Sequence, residues 1–169
     1  NGVAFRYRLP DVSRDRVTAE NTSFTIAKPG KIWYGKDSDC YEPEITSGVY
    51  ASIPVGNKLN GPITIELANS SGYVALLEGF VGEDYIGTCF VSEGSGGVFK
   101  VSGSWTAGKD FDTFIATGDV VTGWRMVNYS KDLKGLVENY NIYCTALGLD
   151  GKEQAADEAE WVEPGKVTW

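Results

Sequence analysis

Hydrophobic and polar residues alternate along most of this chain. In "VAFRYRL", Val3, Phe5, Tyr7 and Leu9 interleave with Arg6 and Arg8. A period of two marks a half-buried strand with a solvated face. Further strands are expected at 22–27, 31–35, 48–53, 62–67, 73–78, 85–92, 97–105, 111–117, 119–128 and 137–146. The breaks between them hold Gly, Pro, Asn or Asp, as in "KPGK", "PVGNKLNGP", "NSSG" and "EGSGG". No segment of helical period is long enough to separate the strands, which disfavours a parallel βαβ arrangement. The pattern predicts an all-β fold, a single antiparallel β-sandwich over residues 1–169, jelly-roll-like or immunoglobulin-like.

Two strands depart from simple alternation. "YVALLE" is almost continuously apolar, as expected for a strand covered on both faces. In "DVVTGWRMVN", Val120, Trp124 and Met126 fall on one face, Val121 and Val127 on the other, and Gly123 marks a bulge or bend. Beyond them, Asp150 and Glu153 form a helix-capping pair before "QAADEAEW". The segment 150–169 is therefore read as a short C-terminal helix or a loosely packed acidic tail.

Charge and length narrow the partners. The longest apolar run, "YVALL", is far short of the ~20 residues a membrane helix needs, so no membrane insertion is expected. No leader segment is visible, so an exported protein would be represented here in a mature or excised form. The net charge of −8 is uneven: residues 1–36 carry +4 and the remainder −12. Arg6, Arg8, Arg14 and Arg16 are read as a basic strand and loop facing acidic groups of the same domain, not as a nucleic-acid surface.

Three cysteines, Cys40, Cys89 and Cys144, allow one bridge or none. If one forms, it joins Cys40 to Cys89 or Cys144. Cys89 and Cys144 sit in mid-strand, where cysteine behaves as a small hydrophobe. Three Asn-x-Ser/Thr triplets, at Asn21, Asn69 and Asn128, tilt the reading toward a glycosylated protein displayed outside a cell.

The chain contains no histidine. This removes the usual Ser-His-Asp and Cys-His nucleophile systems and the His-containing zinc sites. Gly103 to Lys109 fits G-x-x-x-x-G-K, but Asp110 stands where a magnesium-binding hydroxyl is needed and a strand follows where a helix should. Glu66, Glu78 and Glu138 lie on strands or strand ends and are the carboxylates from which a glycosidase pair would be drawn.

Two loops echo each other. Asp37-Ser38-Asp39 and Asp110-Phe111-Asp112 each follow a Gly-Lys pair with a tryptophan upstream, Trp33 or Trp105. Aspartates at i and i+2 suit a turn, and with further oxygen ligands they suit calcium. Asp37, Asp39, Asp110 and Asp112 are thus the candidate metal ligands, and Ca2+ is the one cofactor considered. Trp33, Tyr34, Tyr41 and Trp105 flank the same loops and offer flat faces for sugar stacking or protein contact. The leading expectation is a non-enzymatic recognition or attachment module. It would be extracellular or displayed on a cell or virion surface, binding a glycan or protein receptor through aromatic and acidic loops. The alternatives are a coat, capsid or pilus subunit (or a projecting domain of one), which would make an oligomer, and a carboxylate-pair glycoside hydrolase.

Overall fold

The computed structural model describes residues 1–36, 44–79, 85–94, 96–103 and 115–139. Eleven strands are found among them: β1 Gly2–Phe5, β2 Arg8–Arg16, β3 Ser23–Thr25, β4 Pro29–Lys36, β5 Ile45–Val49, β6 Lys58–Leu67, β7 Tyr73–Gly79, β8 Thr88–Ser92, β9 Val98–Gly103, β10 Ile115–Val121 and β11 Trp124–Ser130. One short helix, α1 Leu133–Val137, follows them. Every pairing among these strands is antiparallel. The fold is an all-β sandwich.

The long strand β6 builds both layers. On one edge it pairs with β4, which continues to β5. On its other edge, Ile63 to Glu66 pair with β7, and β7 leads on to β11 and β1. Lys58 and Leu59 pair instead with β8, which leads to β9 and β3. The sheet therefore forks within β6, at Gly61–Pro62, and its two branches close over one core. Ile32 and Tyr34 from β4, Ile63 and Ile65 from β6, Leu76 from β7, Phe90 from β8, and Phe99 and Val101 from β9 fill that core. Each strand contributes alternate residues, as the period-two pattern requires.

The continuous apolar run in β7 has its explanation here. Val74 and Leu76 enter the main core, while Ala75 and Leu77 meet Met126 and Leu136 on the opposite face. Leu136 belongs to α1, which covers that face. Its first turn is capped by Asp132, whose carboxylate accepts from Gly135 N at 2.7 Å.

Several expected strands are corrected. "VAFRYRL" is not one strand but two, broken at Arg6 and Tyr7, and the candidate 119–128 breaks at Thr122 and Gly123. The two breaks face each other: Tyr7 N donates to Thr122 Oγ1 and Thr122 N to the Tyr7 carbonyl, both at 3.0 Å. Residues 2–16 and 115–130 thus form one long antiparallel pair, kinked where the register slips by one residue. The bend expected at Gly123 is this kink. Beyond it, β2 and β10 form a separate two-stranded ribbon, in which Arg8 pairs with Asp119 at 2.6 Å on the surface. That contact fits a basic stretch facing acids of its own domain.

The expected strand 48–53 ends early, because Tyr50–Ser52 form a 3-10 turn that sends the Tyr50 ring onto Phe99. The strand placed at 137–146 is preceded by α1, which ends at Val137, and residues 140–146 lie outside the described ones. The segment 150–169 also lies outside them.

Candidate functional site

Alternation in β4 sends Trp33 and Tyr34 to opposite faces. Tyr34, nominated from sequence as a ligand contact, is 7% exposed and packs in the core with Ile32, so its ring is not available for stacking. Trp33 lies half-buried on the outer face, beside Ser47 of β5 and Thr64 of β6, with the Lys31 ammonium 4.9 Å from its ring centre. Asp37, Asp39, Tyr41, Trp105, Asp110 and Asp112 all lie outside the described residues. So do Cys40 and Cys144. Cys89 is buried, its thiol 3.4 Å from the Gly103 carbonyl, as suits a small core residue. Asn128 is fully buried in β11, which withholds that triplet from glycosylation in the folded domain. Asn21 and Asn69 are exposed.

One concave feature of the described surface is at the fork. Where β7 and β8 part company beside β6, a cleft of about 210 Å³ is lined by Gly61, Pro62, Leu77, Glu78, Thr88 and Phe90. Gly61 and Pro62 form an exposed rim, and buried Leu77 and Phe90 form an apolar floor. Glu78 and Thr88 supply the polar wall.

Behind that wall lies a buried ionic cluster centred on Arg125, whose side chain is 0% exposed. Arg125 Nε and Nη2 donate to the two oxygens of Glu20 at 2.7 and 2.6 Å, a bidentate pair. Arg125 Nη1 donates to Glu78 Oε1. The Thr22 hydroxyl donates to Glu20 at 2.7 Å and the Tyr85 hydroxyl at 3.2 Å. Thr88 supplies Glu78 with two donors, its N–H to Oε2 and its hydroxyl to Oε1, both at 2.9 Å. The Arg125 guanidinium also lies 6.0 Å from the Tyr85 ring centre.

These contacts decide the ionisation states. Burial alone pushes the Glu20 carboxyl up, but the hydrogen bonds and charge of Arg125, with the Thr22 and Tyr85 hydroxyls, outweigh it and hold Glu20 below its ordinary value. Burial likewise opposes the charge on Arg125, and the two carboxylates overcome it to raise its pKa. Burial and the neighbouring Glu20 charge push the Tyr85 phenol up. The cluster is therefore a cation held between two anions.

Such a cluster does not make a glycosidase pair. Arg125, Thr22 and Tyr85 hold Glu20 below its ordinary value, which disfavours it as the proton donor that such a pair requires. Both carboxylates already face the same guanidinium, which a cation or a substrate would have to displace. The other nominated strand acid on this sheet is too distant. Glu66 pairs with Tyr73, five residues along β7 from Glu78, or about 17 Å at a strand's rise, against roughly 5–9 Å for a working pair. Glu138 follows α1 on the surface, where Lys134 Nζ lies 3.6 Å from it.

Sequence reasoning did not single out Arg125 or Glu20. A signal existed for Arg125: a charge between Trp124 and Met126, in a strand apolar on both faces, must be buried and paired. Glu20 precedes β3 in a polar stretch and gives no such sign.

Comparison with known proteins adds a family and a fold. The family model described as Glycosyl-hydrolase 97 N-terminal matches residues 1–144. A Glycoside Hydrolase Family 97 enzyme from Pseudoalteromonas sp. strain K8, solved in complex with acarbose, aligns with a TM-score of 0.67 at 20% identity. An arginine-to-lysine variant of that enzyme, and a glutamate-to-glutamine variant in complex with panose, each align with a TM-score of 0.68 at 20% identity. In all three, the match covers 97% of this chain and 24% of the enzyme. The chain spans about a quarter of the length of these structures, and the likeness is one of fold. No curated protein matches it.

Proposed function

Since the chain belongs to the Glycosyl-hydrolase 97 N-terminal family, we propose that it is a non-catalytic carbohydrate-recognition domain of a glycoside hydrolase. In this reading, the groups that cleave the glycosidic bond lie elsewhere in the enzyme, and this domain holds saccharide near them. The observation that carries the reading is the family match over residues 1–144. The state of the carboxylates supports it. Glu78, on the wall of the cleft, and Glu20, which shares its guanidinium, are both committed to Arg125, and Glu20 is held below its ordinary pKa. Two of the three solved structures were captured with acarbose or panose, so an oligosaccharide is the ligand class to test first.

The aromatic residues Trp33, Tyr41 and Trp105 are proposed to offer stacking surfaces for sugar rings, a role that Tyr34 loses to the core. A domain serving polysaccharide works where polysaccharide is, so an extracellular or cell-surface location goes with the proposal. Calcium held by Asp37, Asp39, Asp110 or Asp112 would brace those loops. The test is incubation of the chain with a panel of polysaccharides and oligosaccharides, followed for reducing ends and, in parallel, for retention on immobilised glycan. Retention without release supports the proposal. Release of sugar that disappears in Glu78→Gln would instead make the chain a hydrolase in its own right.

A further inference from the structure

We infer that the cleft at the fork of β6 binds a single neutral pyranose unit, an inference that rests on the carbohydrate-recognition reading above. Size sets the first limit. Pockets for drug-sized ligands run to roughly 300–1,000 Å³. A cleft of about 210 Å³ admits one ring and leaves the rest of an oligosaccharide outside.

Chemistry sets the second. The Pro62 ring stands exposed on the rim, and Leu77 and Phe90 line the floor. Together they present the apolar surface that a sugar's C–H face requires. Gly61 completes the rim without a side chain, so the entrance is open. A methyl group at Gly61 would meet Phe90 Cε2 at 3.4 Å, with the Leu76 carbonyl and Leu77 Cα at 3.8 and 3.9 Å, so a larger side chain there would crowd the mouth of the cleft.

Charge sets the third. Glu20 and Glu78 carry two negative charges against the one positive charge of Arg125, so the cluster behind the wall keeps a surplus of one negative charge. Anionic ligands are repelled. Glu78 is 14% exposed, and its Oε2 takes one donor among the described residues, the Thr88 N–H. A carboxylate oxygen accepts two, so Oε2 keeps a site for a hydroxyl donor. Arg125 and Thr88 fix the carboxylate in place, so little side-chain freedom is lost on binding. An apolar floor beside one anchored acceptor fits a neutral polyhydroxylated ring.

An amide NMR titration of the chain with methyl α-glucopyranoside tests this, with methylammonium and acetate as comparison probes. We expect saturable shifts at Gly61, Leu77, Glu78 and Thr88 with roughly millimolar affinity, and no response to acetate. Gly61→Leu is expected to abolish those shifts while leaving the rest of the spectrum in place. Glu78→Asp, which draws the carboxylate back from the cleft, is expected to weaken binding about tenfold through loss of one charge-assisted hydrogen bond. If Gly61→Leu does not fold, the Glu78→Asp result decides. Shifts at Trp33 with a silent cleft would overturn this site and leave carbohydrate recognition standing. No shift anywhere would overturn both. Methylammonium binding more tightly than the glucoside would overturn the neutral-sugar assignment.

Discussion

Replacing Arg125 with methionine is the most informative single perturbation of this fold. The side chain is fully buried and carries three hydrogen bonds to two carboxylates. Methionine fills most of the volume but leaves Glu20, whose side chain is 6% exposed, without its counter-charge. Breaking one partner out of a buried ionic cluster costs about 3–5 kcal/mol. Domains of this size have only about 5–15 kcal/mol in total, so the loss is a large share. It corresponds to a fall in Tm of roughly 6–20 °C. The assay is urea unfolding followed by tryptophan fluorescence, with the slope of the transition unchanged and its midpoint lowered. The same reasoning requires that Arg125→Met combined with Glu20→Met and Glu78→Met recover much of the loss, because a buried cluster replaced whole by apolar groups is often neutral. A single variant costing less than about 1 kcal/mol would refute the argument, since that is the worth of a surface pair. So would a triple variant no more stable than the single one.

Other expectations follow from the same contacts. Glu20 has a folded pKa below its unfolded value of 4.5, so its contribution is present in full above that value and is lost as pH falls through the folded pKa. Stability should therefore drop in acid, and Glu20→Gln should be less stable at neutral pH with a shallower acid slope; an unchanged slope would count against the cluster. Burial and the Glu20 charge push the Tyr85 phenol up, so an ultraviolet pH titration should show a phase above the ordinary tyrosine range that Tyr85→Phe removes. Gly97 adopts a φ of +70°, and a side chain there would run into the Ile26 carbonyl, so Gly97→Ala should cost more than about 1 kcal/mol in urea unfolding. Expression in a glycosylating host should leave Asn128 unmodified by mass spectrometry, whatever happens at Asn21 and Asn69, because its side chain is enclosed between β1 and β7.

The layers were legible in the alternation, and the double-faced burial of β7 was legible in "YVALLE". Branched and aromatic residues at every second position leave few ways to hide them other than a two-layer sheet. The breaks were harder to read. Tyr7 and Thr122 look like ordinary strand residues, and only their hydrogen bonds to each other reveal the kink between sheet and ribbon. β2 was missed for a related reason: "RLPDVSRDR" holds almost no buried residue, and the backbone of β10 sustains it in place of a hydrophobic face. Tyr34 was nominated as a ligand contact because it adjoins Trp33, yet the pleat separates neighbours and sends one of the two inward.

The cleft was invisible because it is tertiary. Pro62, Glu78 and Thr88 come from three strands and meet only where β6 changes partners. Functional class was read in part. A recognition module was ranked above a glycosidase on the aromatic residues that flank the acidic loops. The family match supplies the enzymatic context that this reasoning placed last. Nothing in 169 residues of strand pattern points to it, since a sheet's alternation records what is buried and not what the domain serves.

The central claim is that this domain holds saccharide and does not cut it. A calorimetric titration of the chain with panose, with the cell contents afterwards separated by chromatography, tests both halves at once. The account predicts a saturable heat of binding, diminished in Gly61→Leu, and panose recovered intact. Smaller sugars in the recovered mixture, or no heat of binding at all, would contradict it.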